Sequence, residues 1–166
     1  MALRKIRLDG DEILRKKSKV VKVVDENIHT LLDDMTETMV SLNGIGIAAV
    51  QVGVLKRIAL VDVAAFEGER DIVELINPEI IEACGTQTYR EGCLSMPGRR
   101  GMVERPSYIK LKALNRDGEE VIYEAYEADA VPFFHELDHL DGILYIDKLI
   151  SDLEDENEDD DEEIEV

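Results

Sequence analysis

The segment His135-Glu136-Leu137-Asp138-His139 concentrates metal-binding and acid–base chemistry in five residues. Residues four apart share one face of a helix, so the imidazoles of His135 and His139 could bind one metal ion. Glu136 would lie one position further round, within reach of a water molecule at that ion. Such a short pattern also arises by chance on amphipathic helices. An amphipathic helix surface that binds no metal therefore remains an alternative at this point.

A catalytic metal site needs a third protein ligand and an open position. Cys93 is the best candidate because it follows a glycine at a predicted strand end, where a thiolate can point into a cleft. Cys84 lies in an apolar run and is predicted to pack in the core, and His29 is predicted on a helix surface. One thiolate and two imidazoles suit Fe(II), Zn(II), Co(II) or Ni(II), whereas Mg(II) and Ca(II) prefer oxygen ligands.

A third segment, G-I-G-I-A-A-V-Q at residues 44–51, combines glycines with small apolar residues. Glycine lets a backbone approach a substrate closely, and the alanines allow tight packing behind it. A phosphate-binding loop would need a lysine after its last glycine, so nucleotide binding is disfavoured. A plain helix-ending turn remains an alternative for this segment.

Two helices are predicted, one near each end of the chain. Apolar residues at helical spacing indicate a helix over residues 25–42, with Asp25 as its N-cap. The H-E-x-x-H motif lies in a second helix within residues 128–141, ended by Asp141-Gly142. The basic run at residues 15–22 is interpreted as a solvated helix end.

Extended segments occupy the middle of the chain. Asn77-Pro78 is expected to break one of them, and the turn at residues 115–118 to close a hairpin. The predicted extended segments are residues 57–63, 71–76, 80–90, 108–114 and 121–126. Strands in the middle and helices near both ends indicate an α+β fold, in which small antiparallel sheets pack around a metal-bearing helix in a single domain.

The charge is unevenly distributed. The net charge is −19, but residues 152–166 hold 11 acidic and no basic side chains, which leaves 27 acidic and 19 basic ones and a net −8 elsewhere. We therefore predict a catalytic domain at residues 1–151 and an acidic, disordered tail at residues 152–166. A negative surface disfavours DNA, and no run approaches the ~20 apolar residues of a membrane span or the pattern of a signal peptide. We expect a cytoplasmic protein that binds no membrane.

Taken together, the three segments resemble the peptide deformylases. That family's motifs read G-φ-G-φ-A-A-x-Q, E-G-C-φ-S and Q-H-E-x-D-H, where φ is apolar, and this chain has them in the same order at residues 44–51, 91–95 and 135–139. The resemblance extends over about residues 1–150. It implies metal-dependent hydrolysis of the formyl group from the N-terminal formylmethionine of nascent polypeptides, with release of formate.

The resemblance also implies roles for individual residues. Glu136 would be the catalytic acid and base, while the Gln51 side chain and the Leu94 backbone N–H would hold the formyl oxygen. The implied metal ligands, usually to Fe(II), are Cys93, His135 and His139. The implied substrate-binding residues, which pair with an extended peptide or line the methionine pocket, are Ile45, Gly46, Glu91, Gly92 and Val131.

The chain departs from the family pattern at three places. The glutamine before the first histidine is Phe134 here, which removes a polar neighbour of the site. Pro132 removes a helix hydrogen bond, so the motif helix should begin near residues 129–131 or bend there. Family members often end in a basic helix thought to contact the ribosome, whereas this chain ends acidic, so association by that route is not expected.

Two other functions fit parts of this sequence. An H-E-x-x-H endopeptidase would need a third histidine or glutamate ligand after the motif helix, and the acids beyond residue 153 are poor candidates. A metal-binding or interaction protein without catalysis would have no use for both Glu136 and Gln51. Formate release and metal analysis would separate these readings.

Overall fold

The computed structural model describes residues 2–151 and 154–155, and within them it contains two α-helices and eight strands. Helix α1 spans Glu26–Ser41 and helix α2 spans Val131–Leu140. The strands are β1 Gly46–Ala48, β2 Ile58–Asp62, β3 Ile72–Cys84, β4 Gln87–Cys93, β5 Met96–Arg105, β6 Tyr108–Leu114, β7 Glu120–Tyr126 and β8 Glu154–Asp155. The predicted α+β class with small antiparallel sheets is confirmed.

Helix α1 follows its sequence pattern closely. The Asp25 side chain accepts a hydrogen bond from the Ile28 N–H at 3.1 Å, as expected of an N-cap. The apolar face is buried and packs against β1 and β2. Its buried apolar residues are Ile28, Leu31, Leu32, Met35 and Met39.

The larger sheet has the order β1-β2-β3-β6-β7, with every neighbouring pair antiparallel. The predicted break at Asn77-Pro78 is wrong, because β3 continues through it with a register shift between Ile76 and Glu79. Asn77 tolerates a φ of 51° and exchanges two 2.8 Å hydrogen bonds with the Val21 backbone, which holds the bulge. The strand then runs past the core, so Cys84 is exposed rather than packed inside as predicted.

The smaller sheet has the order β4-β5-β8. The part of the chain that follows α2 pairs with this sheet. Leu149 bridges Val103, and β8 pairs with β5 so that Glu154 lies opposite Arg100. Two residues of the segment predicted to be disordered are therefore paired. The other tail residues lie outside the described residues, and the domain boundary stays a prediction.

Helix α2 begins at Val131, one residue before Pro132. Pro132 lies in the first turn, where a missing N–H costs nothing, so the alternative of a bend is not needed. Phe134 is buried in an apolar cluster with residues of β2, β3 and β6. The helix ends at Leu140 with Asp141 as its C-cap, and Gly142 follows with a φ of 73°.

The basic run forms an extended segment, not a helix end. Only Arg15 belongs to a short 3₁₀ turn, and Lys19 forms a parallel bridge with Lys56. Backbone hydrogen bonds to other parts of the chain hold this segment, and such bonds compete with helix formation. Among the described residues, neither helix is long and apolar enough to cross a membrane.

Candidate metal centre

The three predicted ligands come together in the structure. Ligand atoms of Cys93, His135 and His139 all lie within 4.8 Å of one another, and Cys93 Sγ lies 3.4 Å from His139 Nε2. All three side chains are buried. Cys93 ends β4 and both histidines lie on α2, so the cluster joins the smaller sheet to the motif helix.

The histidine nitrogens fit a bound divalent ion. His135 Nδ1 donates to Glu91 Oε1 at 2.8 Å, while its Nε2 is buried with no hydrogen-bond partner among the described residues. Burial of a nitrogen without a hydrogen-bond partner costs free energy unless another group, such as a metal ion, binds it. Metal-binding histidines commonly donate a hydrogen bond from their other nitrogen to a carboxylate. Burial and the neighbouring His135 lower the pKa of His139 well below its ordinary value, which keeps this imidazole in the neutral form that binds metal.

Glu91 anchors His135 through a buried ion pair. Arg105 Nε and Nη2 donate to the two Glu91 oxygens, each at 2.9 Å, and Arg105 Nη1 donates to Asp138 Oδ2 at 2.6 Å. Burial alone would raise the pKa of Glu91, but the hydrogen bonds from Arg105 and His135 outweigh it and lower the pKa to about 2. Glu91 is therefore ionised, and both its oxygens are engaged.

Glu136 lies beside the cluster, and no described residue forms a hydrogen bond with its carboxylate. It is 0% exposed, and both its carboxylate oxygens lack a hydrogen-bond partner among the described residues. A Cβ at Gly46 would lie 2.7 Å from Glu136 Oε1, so the carboxylate rests against the start of β1. Burial raises the pKa of Glu136 well above its ordinary value, and the Glu91 charge adds to this. An unpaired, buried carboxylate next to a metal cluster is suited to proton transfer.

Gln51 is fixed with its amide nitrogen toward the ligands. Its Oε1 accepts from the Ala48 N–H at 2.9 Å, and its Nε2 donates to Ser95 Oγ at 3.1 Å and lies 3.6 Å from Cys93 Sγ. Leu94 follows Cys93 directly in the turn between β4 and β5. Gln51 and Leu94, the two predicted formyl-oxygen donors, thus lie beside Cys93.

The remaining predicted site residues lie at the start or end of the same elements. Gly46 begins β1, and Gly92 precedes Cys93, where a Cβ would overlap the Arg100 guanidinium. Ile45 and Val131 are buried where β1 and α2 begin. Their contact with a methionine side chain, like that of Glu91, stays a prediction.

Sequence reasoning missed two residues of the site. Arg105 holds Glu91, and the Tyr145 ring stacks on His135 with 5.9 Å between ring centroids. The Tyr145 hydroxyl donates to the Arg99 carbonyl at 3.3 Å, which fixes the ring over His135. Neither residue lies in a motif, so no local pattern could have identified it. His29, excluded as a ligand, lies on α1 and bonds the Arg116 carbonyl instead.

A family model described as polypeptide deformylase matches residues 3–155. The chain belongs to this family. Deformylation of nascent peptides is the function of the family, and its members are metal-dependent enzymes.

Peptide deformylases of known sequence and structure match nearly the whole chain. The peptide deformylase of Acetivibrio thermocellus is 58% identical over 150 residues, covering 90% of this chain and 85% of that protein. Peptide deformylase 1 of Clostridium acetobutylicum is 54% identical over 149 residues, covering 90% and 96%. The crystal structure of the Thermotoga maritima peptide deformylase has a TM-score of 0.85 and 41% identity, covering 91% of this chain and 100% of that one. The Ehrlichia chaffeensis enzyme in complex with actinonin has a TM-score of 0.85 and 38% identity, covering 90% of both chains.

Proposed function

We propose that this peptide deformylase removes the formyl group of N-formylmethionyl peptides at one divalent ion bound by Cys93, His135 and His139. Fe(II) is the proposed native ion, and Zn(II), Ni(II) or Co(II) can replace it. The observation that carries the proposal is the buried Cys-His-His cluster next to the unpartnered carboxylate of Glu136. An endopeptidase with this motif would need a third histidine or glutamate ligand after the motif helix, whereas the third ligand proposed here is Cys93, which precedes that helix.

Glu136 moves the proton in the proposed reaction. A bound ion lowers the pKa of a water molecule and polarises the formyl carbonyl. Glu136 accepts the proton of the attacking water and returns it to the departing amine, so one carboxylate acts as base and then as acid. Its burial supports this role, because burial raises the pKa of Glu136 and so makes the carboxylate a stronger base.

Gln51 and Leu94 stabilise the negative charge that develops on the formyl oxygen. The Gln51 amide is held by Ala48 and Ser95, which keeps its Nε2 beside Cys93. The Leu94 backbone N–H supplies the second donor. Loss of one preorganised donor of this kind typically lowers the rate by ~10²–10³.

The peptide is proposed to add as a strand along backbone groups at Gly46 and Gly92, with its methionine side chain in a pocket lined by Ile45, Glu91 and Val131. Burial of Ile45 and Val131 supports an apolar pocket. Glu91 would contribute to the pocket wall, since its oxygens are occupied by Arg105 and His135.

The catalytic unit is proposed to be residues 1–151, acting in the cytoplasm. Any association with the ribosome would not use a basic C-terminal helix, because residues 152–166 are acidic. The acidic residues are proposed to contribute nothing to catalysis.

Formate release from formyl-Met-Ala-Ser by anaerobically purified protein, with metal analysis of the same sample, tests the function. We expect one equivalent of metal and steady formate release. Glu136→Gln should keep the metal and the fold and lose most of kcat, because the amide cannot accept the proton. Metal-loaded protein that releases no formate, or a variant with near-normal turnover, would contradict the proposal.

A further inference from the structure

The segment at residues 43–46, which leads into β1, packs against two residues of the site. A Cβ at Gly44 would lie 2.9 Å from Leu94 Cδ1, and a Cβ at Gly46 would lie 2.7 Å from Glu136 Oε1. Leu94 lies in the turn after β4 and Glu136 lies on α2, the two elements that carry the metal ligands. The position of this segment therefore decides how the start of β1 meets the site.

The segment has little local support of its own. Asn43 has a φ of 55°, in the left-handed region that few residues other than glycine adopt. Strand β1 has only three residues and lies at one edge of the larger sheet. A short edge strand after such a turn opens easily unless other parts of the chain hold it.

Arg70, in the loop between β2 and β3, holds this turn at two adjacent residues. Its Nη1 donates to the Gly44 carbonyl at 2.7 Å, and its Nη2 donates to Asn43 Oδ1 at 3.1 Å. The planar guanidinium keeps its donors at a fixed spacing, so both acceptors are held in one geometry. The side chain is 29% exposed, so its contacts are partly shielded from water.

Asp62 supports the arginine and the segment together. Its carboxylate is 2% exposed and lies 3.3 Å from Arg70 Nη1. Its Oδ1 also accepts from the Ala64 N–H at 3.1 Å and from the Asp71 N–H at 3.0 Å, which closes the loop. The Asp62 N–H donates to the Ile45 carbonyl at 2.8 Å. The loop thus keeps its own hydrogen bonds if Arg70 is replaced, and only the contacts of the guanidinium are lost.

Neutralisation of Asp62 does not account for the geometry of Arg70. The contact with Asp62 is the longest of the three, at 3.3 Å, whereas the bonds to Gly44 and Asn43 are 2.7 Å and 3.1 Å. Oδ1 of Asp62 already accepts two backbone hydrogen bonds. The arginine is therefore directed mainly at the turn.

We propose that Arg70 is a positioning residue for the substrate: it holds the start of β1 in the conformation to which the peptide residues after methionine add as a strand. The inference rests on the proposed function for the identity of the ligand. A strand that is already ordered loses little conformational freedom when a peptide binds, whereas a loosened one loses more. Because the bound peptide would restore the order, loss of Arg70 should weaken binding and leave the chemical step unchanged.

Steady-state formate release by Arg70→Gln tests the effect on the substrate. For formyl-Met-Ala-Ser we expect KM to rise about tenfold, with kcat within about twofold and bound metal at one equivalent. Formylmethionine amide has no residue after methionine, so its KM should rise less than about threefold. Arg70→Lys keeps the charge without the fork and should give an intermediate KM for the tripeptide.

Arg116→Gln is the matched control. Its guanidinium also joins two elements, through Asp33 on α1 and Glu74 on β3, and its side chain is 38% exposed. The substitution removes the same charge without touching the turn at Asn43 and Gly44. Both KM values should stay within about twofold of those of the unaltered chain.

Hydrogen exchange of the metal-bound protein without peptide tests the positioning itself. The Asp62 N–H, which donates to the Ile45 carbonyl, reports on opening of the segment. It should exchange about tenfold faster in Arg70→Gln and at an unchanged rate in Arg116→Gln.

Unchanged exchange in Arg70→Gln would overturn the proposal. Equal KM changes for the two substrates, or a fall in kcat as large as the rise in KM, would also overturn it, since these would show no effect specific to the peptide strand. A tripeptide KM fully restored in Arg70→Lys would assign the effect to the charge opposite Asp62 instead of the fork. An unaltered chain that releases no formate would contradict the proposed function, and the exchange rates would still decide whether Arg70 holds β1.

Discussion

The carboxylate of Glu136 rests against the backbone of Gly46, 90 residues earlier, so closely that a Cβ at Gly46 would lie 2.7 Å from Oε1 and 3.0 Å from Cγ. The contact leaves no room for a side chain at this position. It also holds the proposed general base against the strand along which the peptide is proposed to bind.

Gly46→Ala should therefore displace the Glu136 carboxylate without removing a metal ligand. We expect kcat to fall about 100-fold, the effect of misplacing a catalytic group by about 1 Å, while bound metal stays at one equivalent. Steady-state formate release and metal analysis measure the two quantities. Normal kcat in the alanine variant would mean that the carboxylate can move without consequence.

The two cysteines provide a matched pair for the metal assignment. Cys93→Ala removes the thiolate next to His139 and should lose the ion, because two imidazoles alone bind it weakly. Cys84→Ala changes an exposed side chain and should retain one equivalent. Metal analysis after dialysis distinguishes them, and stoichiometric metal in the first variant would exclude Cys93 as a ligand.

The ion pair between Glu91 and Arg105 predicts a pH-dependent stability. The pKa of Glu91 falls from an ordinary value of about 4.3 to about 2 on folding. A lowered folded pKa stabilises the protein above pH 4.3, and the contribution is lost as the pH falls toward 2. Glu91→Gln should reduce the free energy of unfolding by about 3 kcal/mol at pH 7 and by about half of that at pH 3.

Urea denaturation of the metal-free protein at both pH values measures this difference. Metal is left out so that release of the ion at low pH does not enter the comparison. An equal effect of Glu91→Gln at pH 7 and pH 3 would show that the Glu91 charge does not stabilise the fold.

Phe134 is a core residue at a position where the family motif has glutamine. Because its side chain is 7% exposed within an apolar cluster, Phe134→Gln should lower the free energy of unfolding by about 3 kcal/mol through the cavity and the buried amide. Phe134→Leu, which keeps an apolar side chain, should cost about 1 kcal/mol. Urea denaturation compares the variants. If Phe134→Gln left the free energy of unfolding unchanged and increased formate release, position 134 would instead be a polar site that the natural chain has lost.

Local patterns in the sequence were sufficient for the elements that depend on neighbouring residues. The apolar periodicity and Asp25 determined α1, and the i, i+4 spacing placed His135 and His139 on one face of α2. The turn at residues 115–118 likewise determined the hairpin of β6 and β7. These features are readable because helices, caps and tight turns are set by residues a few positions apart.

The tertiary structure alone decided which distant residues meet. Glu91 and His135 are 44 residues apart, and nothing in either motif shows that Arg105 lies between Glu91 and Asp138. The continuation of β3 through Asn77 depends on a side chain that reaches the Val21 backbone. Such contacts join residues with no regular spacing in the chain, so packing and charge pairing in the folded domain decide them.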